Sequence, residues 1–467
     1  YFNMELDMKK VTFLIIFFSL HLNLSAYSGG DGSKSNPYEI ANVDDLQELM
    51  NNQAEWDKNF IMTADIDCSK MTDPKPIGSN IRNPFEGSFN GKGHIISNLF
   101  IDQPDSSHVG LFGVNYGEIK NVGKIQGRVI GNRIVGGVCG FNDWIIINCY
   151  SKDSVAGNTD IGGFVGNNNY IIMDCYAKGT VSGIKNVGGF TNWNYASAES
   201  INNYADAEVI CEDKYAGGFC SENYGAVENC YSLGNVNGNN IVGGFCGRNL
   251  NIIKDSYSGG GVSGDSIVGG FCGMNANNIM WSHSSGRVYD NDDDKFVGGF
   301  CGTNDDTIAY CYTTSEMDGN SNVTGGFCGQ NGTLGFNSVT IHDCYSRAVF
   351  SFNSDTTGGF CGYNKFGRIR HCYWAGAVTG EMDNYGGFCA YNDADITGCY
   401  WDKETSGITN SAGGEARATK EMKNQSTFVD WDFKDIWGID TLENDGYPIL
   451  KPRSEERRVG KECVSEC

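Results

Sequence analysis

The chain has 467 residues, including 64 glycines, 7 prolines and 19 cysteines, and a formal net charge of −23. Glycine has about twice its usual share, but a collagen would need it at every third position, so the chain is not a collagen. An aromatic content of 12% argues against a disordered chain, and the excess of 57 acidic over 34 basic residues argues against nucleic acid or an anionic membrane surface as a partner.

Residues 1–26 have the features of upstream residues followed by a secretory signal peptide. Lys9 and Lys10 precede an apolar run over residues 11–24, and Ala26 offers a small residue for cleavage. The run is shorter than the roughly 18 residues that a membrane span needs. We therefore expect a secreted or cell-surface protein with no membrane span in its mature segment.

Residues 27–104 predict an N-terminal cap followed by the first strands. Leu46, Leu49 and Met50 recur at helical spacing within a helix-like segment over residues 43–52. Such a helix is suited to closing one end of a stacked β-structure, where unpaired strand edges and apolar core would otherwise meet water.

Residues 105–402 contain one phrase that recurs eleven times with small variations. In the copy VGGFCGRN (242–249) the second glycine is Gly244, and this anchor glycine stands at positions 110, 137, 163, 189, 218, 244, 270, 299, 326, 359 and 387. The anchors are 26 to 33 residues apart, and Gly and Asn divide each interval into short β-prone pieces. A propeller blade needs a longer period, and a leucine-rich repeat needs a leucine framework that the chain lacks. We predict an all-β fold, a right-handed parallel β-helix of about eleven coils, because parallel crossovers are nearly always right-handed.

Five residues after the anchor, all eleven copies have asparagine. Amides kept in register at a turn can form a ladder, in which each side-chain carbonyl accepts a hydrogen bond from its neighbour one coil away. Asparagine also tolerates the left-handed backbone that a sharp corner needs. We therefore interpret these residues as a structural ladder rather than as ligands. They are Asn115, Asn142, Asn168, Asn194, Asn223, Asn249, Asn275, Asn304, Asn331, Asn364 and Asn392.

The residue after the anchor is phenylalanine in nine copies, from Phe164 to Phe388, and Leu111 or Val138 in the other two. Because this position is apolar in every copy, it predicts a stacked column of core side chains rather than a carbohydrate-binding platform. Glycine at the anchor would let neighbouring backbones and this column approach closely.

Seventeen of the 19 cysteines precede residue 453, and fifteen of them fall into two columns. A secreted chain with this many cysteines suggests disulfides, and stacked coils would place column neighbours within disulfide range. Substitutions favour the other interpretation, because cysteines that face each other within a coil are replaced singly. We favour reduced thiol ladders, with disulfides as the alternative. The columns are Cys139, Cys220, Cys246, Cys272, Cys301, Cys328, Cys361 and Cys389, and Cys149, Cys175, Cys230, Cys311, Cys344, Cys372 and Cys399.

Two departures from the regular coil are candidate binding loops, since solenoid sites tend to lie on loops that leave the coil. They are the insertion after Asn331, with Gly332, Thr333 and Phe336, and the acidic run with Asp290, Asp292, Asp293 and Asp294. We interpret the acidic run as a solvated turn, with calcium bound by Asp292, Asp293 and Asp294 as the alternative, because hard oxygen ligands cluster in this way. No other metal and no cofactor is expected.

Residues 403–452 predict a C-terminal cap, in which Phe428, Trp431 and Trp437 are suited to plugging the other end of the core. Residues 453–467 form a tail that begins like the in-frame translation of a common short-read sequencing adapter. We therefore expect this tail to be non-native sequence.

The VGGFCGxN phrase alternates with a CYSxGxVxG phrase, and together they resemble the GLUG-motif repeats, named for a Gly–Leu–apolar–Gly phrase. Gly110-Leu111-Phe112-Gly113 matches that phrase most literally. The resemblance covers residues 33–452. It implies a secreted or surface location, in a family whose repeats occur in bacterial adhesins and in IgA-cleaving metallopeptidases, and it implies no chemistry of its own.

No HExxH, GxSxG, P-loop or Rossmann phrase is present in the sequence, and the six histidines form no column. We therefore predict a structural or adhesin-like β-solenoid without catalytic residues, which binds an extracellular protein or glycan or serves as a scaffold at the cell envelope. One alternative is a carbohydrate-active β-helix lyase or hydrolase, which would need carboxylates clustered on one face. The other is the stalk of a larger surface protein such as a peptidase.

Overall fold

The computed structural model describes residues 27–290, 296–319, 322–333, 339–351, 356–379 and 385–452. Over these residues the chain winds into a parallel β-solenoid, in which each strand pairs with its counterparts one coil before and one coil after. The prediction of an all-β parallel solenoid is confirmed. No helix in the described part of the chain is long and apolar enough to cross a membrane.

The first sheet of each coil, called sheet 1, contains the residues that follow the anchor glycine. Its eleven strands correspond to the eleven anchors and pair in register, so that cysteine lies beside cysteine and asparagine beside asparagine in neighbouring coils. The strands are Phe112–Asn115, Cys139–Asn142, Val165–Asn168, Thr191–Asn194, Cys220–Asn223, Cys246–Asn249, Cys272–Asn275, Cys301–Asn304, Cys328–Asn331, Cys361–Asn364 and Cys389–Asn392.

Sheet 2 follows sheet 1 along each coil and has fourteen strands. Its first three strands precede the first anchor, so the stacked structure begins within residues 27–104. The strands are Tyr38–Ile40, Asn59–Met62, Ser88–Asn90, Glu118–Lys120, Ile146–Ile147, Ile171–Met173, Glu199–Ile201, Ala226–Glu228, Ile253–Lys254, Ile279–Met280, Thr307–Ala309, Thr340–His342, Arg368–Arg370 and Ile396–Thr397.

Sheet 3 completes each coil and leads to the next anchor. Its early strands are long, whereas the later coils divide this sheet into several short strands. The strands are Ile66–Asp67, Ile95–Ser97, Phe100–Val109, Gly123–Gly136, Tyr150–Gly162, Tyr176–Gly188, Tyr204–Cys211, Tyr215–Gly217, Tyr231–Ser232, Val236–Gly238, Ile241–Gly243, Tyr257–Ser258, Val262–Gly264, Ile267–Gly269, His283–Ser284, Val288–Asp290, Phe296–Gly298, Tyr312–Thr313, Glu316–Gly319, Val323–Gly325, Tyr345–Ser346, Val349–Phe350, Thr356–Gly358, Tyr373–Trp374, Tyr385–Gly386, Tyr400–Asp402 and Glu415–Arg417.

The core lies along the solenoid axis and is centred on the predicted phenylalanine column. The nine rings from Phe164 to Phe388 are fully buried, and neighbouring ring centroids are 4.8–4.9 Å apart. This spacing matches the distance between hydrogen-bonded strands, so each ring packs on the ring of the next coil. Repetition of one residue type at one position therefore builds a continuous apolar stack.

The anchor glycine is required by the close approach of neighbouring coils. A Cβ atom at Gly244 would lie 2.1 Å from the carbonyl oxygen of Gly270 and 2.9 Å from Cγ2 of Val262. Any larger residue would push these coils apart, which explains why the repeat keeps glycine at this position.

The N-terminal end is closed by a helix and an irregular segment. The helix Val43–Asn51 buries Leu46, Leu49 and Met50, and the short 3-10 helix Gln53–Glu55 follows it. The segment after residue 76 runs along the free edge of sheet 1, where the Ile77 N–H donates to the Leu111 carbonyl at 2.9 Å. The helix predicted near residues 43–52 is therefore present, and the segment after residue 76 covers the first edge of sheet 1.

The C-terminal segment corrects one expectation from the sequence. Phe428, Trp431 and Trp437 do not plug the end of the core, because they pack with Tyr345 and Tyr373 in a separate cluster beside the last coils. The segment contains the helices Lys403–Ser406 and Thr419–Met422, the 3-10 helices Gln425–Thr427 and Asn444–Gly446, and the antiparallel pair Trp437–Gly438 and Ile449–Leu450.

The last edge of sheet 1 is instead covered by residues 408–414. The Gly387 N–H donates to the Asn410 carbonyl at 2.8 Å, and the Ser411 hydroxyl accepts from the N–H groups of Phe388 at 3.1 Å and Cys389 at 2.9 Å. This segment satisfies backbone groups that would otherwise be exposed at the end of the sheet.

Candidate functional site

The structure places the eleven predicted asparagines in one continuous ladder inside the solenoid. Each side-chain Nδ2 donates to Oδ1 of the next asparagine at 2.8–3.1 Å, from Asn115 to Asn392. The first ten are fully buried. Several Oδ1 atoms also accept from the backbone N–H two residues later, as Asn115 does from Gly117. These hydrogen bonds occupy the amides, so the ladder holds the coils together and faces no ligand.

The left-handed corner belongs to a different column, which corrects our interpretation of the ladder. None of the eleven asparagines has a positive φ, whereas the residue before the Cys-Tyr phrase does in coil after coil, with φ of 52° at Asn148 and 55° at Asn202. This outer column has its own side-chain bonds, and Asn148 Nδ2 donates to Asn121 Oδ1 at 2.8 Å. The buried amide ladder and the left-handed corner are therefore formed by two different positions of the repeat.

All seventeen described cysteines are buried free thiols. Each hydrogen-bonded thiol donates to a nearby carbonyl, as Cys139 Sγ does to Phe141 O and Cys149 Sγ does to Ile147 O, both at 3.2 Å. Burial raises the pKa of Cys139 and Cys230 far above the usual thiol value. These thiols therefore act as small core residues with little nucleophilic thiolate.

The predicted binding loops lie only partly within the described residues. Thr333 is held against the neighbouring coil, where its N–H donates to Asp305 Oδ1 at 2.6 Å and its hydroxyl donates to Asp305 Oδ2. Gly332 has a φ of 82°, and its N–H donates to the Asn304 carbonyl. Asp290 ends a strand of sheet 3. Outside the described residues lie Phe336, Asp292, Asp293 and Asp294.

Metal binding at the acidic run stays a prediction. Within the described ranges, no group of three or more His, Cys, Asp or Glu side chains is arranged to hold a metal ion. The calcium alternative therefore rests on the sequence of residues 290–294.

A column of aromatic rings, which the sequence analysis did not identify, lies at the start of sheet 3. Neighbouring rings are parallel to within 10°, and their centroids are 4.7–5.2 Å apart. Each face is covered by the next ring, so solvent reaches only edges and hydroxyls and the column is no stacking platform. Its members are Tyr150, Tyr176, Tyr204, Tyr231, Tyr257, His283, Tyr312, Tyr345 and Tyr373.

The best candidate site is a column of sheet 1 that the sequence analysis also missed. It is the residue four positions after each anchor, just before the ladder asparagine, and we name it the variable column. Ten residue types occupy its eleven positions, while the cysteines and asparagines beside them stay buried and nearly constant. Its members are in register along the sheet. They are Val114, Phe141, Asn167, Trp193, Glu222, Arg248, Met274, Thr303, Gln330, Tyr363 and Tyr391.

Phe141 and Trp193 of the variable column lie close to two tyrosines outside it, Tyr195 and Tyr224. We name these four residues the aromatic patch. The Trp193 and Tyr195 ring centroids are 5.5 Å apart with perpendicular rings, and the Phe141 and Tyr195 centroids are 6.3 Å apart. These side chains are only partly buried. Trp193 and Tyr195 share one coil, Tyr224 lies on the next coil, and Phe141 lies two coils before Trp193. Together they form an aromatic surface on an otherwise acidic protein.

Glu222 fixes the polar centre of the aromatic patch. Its carboxylate is 3% exposed and accepts hydrogen bonds from Trp193 Nε1 at 2.7 Å and from the Tyr224 hydroxyl at 3.3 Å. Arg248 Nη1 lies 3.4 Å from the same carboxylate, and its buried Nε has no hydrogen-bond partner among the described residues. Burial, followed by Glu222, raises the pKa of Tyr224, so its hydroxyl stays a donor at neutral pH.

The other end of the variable column carries a second aromatic pair. The Tyr363 and Tyr391 centroids are 6.2 Å apart, and the Tyr363 hydroxyl donates to Asp393 at 2.5 Å. Tyr391 is 51% exposed.

A signal for the variable column did exist in the sequence, namely high residue diversity at one position inside a nearly invariant frame.

Six of the eleven side chains of the variable column reach the surface, and the other five, Val114, Asn167, Glu222, Thr303 and Gln330, are buried. A solenoid of stacked parallel coils with such a varied column defines a repeat protein that presents an extended surface. The model of the GLUG motif family matches residues 157–182. The chain is thus a repeat protein that carries the GLUG motif, and the resemblance seen in the sequence is confirmed.

Two curated proteins are similar to parts of the chain. A Gly-rich membrane protein of Evansella cellulosilytica is 40% identical over 95 residues, which are 19% of this chain and 11% of that protein. Halomucin of Haloquadratum walsbyi is 34% identical over 209 residues, which are 43% of this chain and 2% of that protein. The chain therefore spans only a small fraction of either relative.

One solved structure is similar over most of its length. It is a chain described as an immunoglobulin A1 protease from Bacteroides ovatus, with 17% sequence identity and a TM-score of 0.33. The match covers 91% of this chain and 95% of that one.

Proposed function

We propose that this protein is a surface-displayed, adhesin-like β-solenoid that binds an extracellular protein or glycan along the variable column. The observation that carries this proposal is the contrast between a repeated frame and one diverse position. Frame residues are kept because coils must stack, whereas stacking requires no single residue type at the variable column, six of whose side chains reach the surface. Diversity there builds a surface that differs along its length, as recognition of a particular partner requires.

The chemistry of the aromatic patch suits recognition. Tyrosine, tryptophan and arginine supply most of the binding energy in protein interfaces, because they combine large apolar area with polar groups. Trp193, Tyr195, Tyr224 and Arg248 place these residue types within three consecutive coils. The Arg248 side chain is 32% exposed, so part of its guanidinium group is open to a ligand that approaches the aromatic patch.

The same geometry favours binding over catalysis. Glu222 accepts hydrogen bonds from Trp193 and Tyr224 and lies 3.4 Å from Arg248, so side chains of this protein already occupy its carboxylate oxygens. We therefore propose a function without a catalytic residue or a cofactor.

The descriptions of the two similar proteins support a location at the cell surface. One similar protein is described as a membrane protein and the other as a halomucin. Together with the secretory signal predicted over residues 1–26, they support display outside the cell. A net charge of −23 would keep such a rod soluble and would repel other acidic surfaces.

A binding experiment tests this proposal. The protein is applied to arrays of extracellular-matrix proteins and glycans, and a variant carrying Trp193→Ala and Tyr195→Ala is compared with it. We expect at least one ligand, whose affinity falls at least tenfold in the variant because two aromatic contacts are removed.

The matched control carries Trp144→Ala and Tyr170→Ala. These two rings are stacked with centroids 5.0 Å apart and lie outside the variable column, so the control removes the same residue types. Its affinity should stay within about twofold of the parent. Absence of any ligand, or equal losses in the two variants, would refute the proposed role of the variable column.

A further inference from the structure

A groove of about 530 Å³ lies on sheet 3, away from the variable column. It crosses four consecutive coils, whose buried valines Val209, Val236, Val262 and Val288 pair in register beneath it. The outward side chains on either side of these valines form the walls and floor. Because its two walls lie on the first and the fourth of these coils, the groove runs parallel to the strands and perpendicular to the solenoid axis.

The groove exists because two coils carry short side chains between two coils with long ones. Glu208 stands on the first coil, and Arg287 and Tyr289 stand on the fourth. Between them lie Asn235 and Asn237 on the second coil and Gly261 and Ser263 on the third. With roughly 4.8 Å between coils, the two walls are separated by about 14 Å measured between backbones. That width is sufficient for one extended oligosaccharide chain.

The floor of the groove is polar and ordered by its own hydrogen bonds. Asn235 Oδ1 accepts from the Gly261 N–H at 2.9 Å, which fixes the orientation of that amide. Asn237 and Ser263 add a second amide and a hydroxyl in register beside it. Amides and hydroxyls supply both donors and acceptors, which is what the hydroxyl groups of a sugar require.

The walls of the groove carry charges of both signs and include an exposed ring. Glu208 faces Arg287 across the floor, and Arg287 also forms an ion pair with Asp318. Tyr289 is 43% exposed, so its ring can pack against an apolar face of a ligand. A polyanion would meet these two carboxylates and the overall charge of −23, which disfavours it.

We propose that this groove binds a neutral oligosaccharide that lies across the solenoid axis. The sugar hydroxyls would pair with Asn235, Asn237 and Ser263, and one sugar ring would pack on Tyr289. Concave sites with an aromatic wall and a few placed polar groups are the usual form of small-ligand sites. This site is separate from the variable column and does not depend on the function proposed for it.

Titration calorimetry tests the proposal with defined probes, namely cellohexaose, maltohexaose, mannohexaose and xylohexaose, together with hexagalacturonate as an acidic counterpart. We expect at least one neutral hexasaccharide to bind, and its Kd to rise at least tenfold in Tyr289→Ala and in Asn237→Ala. Ser263→Trp, which fills the groove without removing a wall, should abolish binding.

Two matched controls separate this site from the variable column. Tyr391→Ala removes a tyrosine of similar exposure elsewhere, and Trp193→Ala disrupts the aromatic patch; both should bind the hexasaccharide within about twofold of the parent. The inference is overturned if none of the neutral probes binds, if the groove variants bind as the parent does, or if hexagalacturonate binds more tightly than every neutral probe.

Discussion

Asn249 shows how a single side chain is held between two neighbouring coils. Its Oδ1 accepts from Asn223 Nδ2 and its Nδ2 donates to Asn275 Oδ1, both at 2.9 Å, in a fully buried position. Substitution by alanine would leave Asn223 Nδ2 and Asn275 Oδ1 with only long hydrogen bonds, to Ile252 O at 3.5 Å and from the Asn277 N–H at 3.4 Å. We predict that Asn249→Ala lowers the free energy of unfolding by about 2–4 kcal/mol, since each buried polar group left without a good partner costs about 1–3 kcal/mol.

Chemical denaturation measures this effect, and Asn239→Ala is the control. Asn239 is exposed and makes one side-chain bond, from its Nδ2 to the Glu212 carbonyl. Its substitution should cost less than about 1 kcal/mol. Equal, small changes in the two variants would contradict an energetic role for the amide ladder.

His283 is the only histidine in the aromatic column of sheet 3 and makes that column sensitive to pH. Burial lowers the pKa of His283 from 6.5 to about 4. Between these values the unfolded chain takes up a proton that the folded chain does not, so the free energy of unfolding falls as the pH drops from about 6.5 towards 4. At pH 4.5 the loss is on the order of 2 kcal/mol.

We predict that His283→Tyr removes this dependence. The new ring would continue the stack between Tyr257 and Tyr312, whose centroids are 5.1 and 4.7 Å from the imidazole. Urea midpoints at pH 7 and pH 4.5 measure the effect, and carboxylates titrate equally in both proteins. An identical loss of stability on acidification in parent and variant would show that His283 is protonated freely in the folded state.

At the scale of the structural element, the edges of sheet 1 depend on irregular segments rather than on strands. Ser411 accepts from two N–H groups of the last strand, at Phe388 and Cys389. In a solenoid each coil contacts only its neighbours, so loss of this cover should act locally. We predict that Ser411→Ala raises amide exchange about tenfold or more in Cys389–Asn392, corresponding to about 1.4 kcal/mol or more.

Hydrogen exchange read by mass spectrometry checks this prediction, with Cys246–Asn249 as the internal reference. That strand is paired on both sides and lies five coils away, so its exchange should not change. Faster exchange over the whole solenoid would mean that the coils unfold together rather than from the end.

Repetition explains which elements the sequence could predict. The phenylalanine column and the asparagine ladder were visible because one residue type recurs at one position, and parallel stacking turns that recurrence into contact. The variable column was missed because its signal is the opposite, a lack of recurrence. The tyrosine column recurs as well, but the repeat alone does not indicate whether neighbouring rings stack or lie apart.

Long-range packing explains what the sequence could not predict at the C-terminus. Trp431 and Trp437 are large apolar residues suited to an end plug, yet they pack beside Tyr373 and Tyr345, which lie one and two coils before Tyr400 of the last coil. That placement depends on a surface that exists only after the coils have stacked. The left-handed corner was wrongly assigned to the asparagine ladder, because the backbone turns left-handed at a mixed column that includes Asn148, Asp174 and Trp281, and φ does not follow from residue type alone.

At the scale of the whole molecule, the two cysteine columns extend along most of the solenoid. In sheet 1, seven cysteines follow one another without interruption from Cys220 to Cys389, and each lies in register with the next. Each of these thiols is inaccessible to solvent. An odd run of seven leaves at least one cysteine unpaired under any scheme of neighbour pairing.

We predict that these thiols stay reduced and react slowly in the folded protein. An oxidant would have to enter the core, and burial raises the pKa of thiols within this run, as it does for Cys246 and Cys328, so these two carry almost no thiolate to start exchange. Thiol titration of the native protein should therefore give slow reaction. In denaturant, the count should be the same with and without prior reduction, whereas every disulfide present would lower the unreduced count by two.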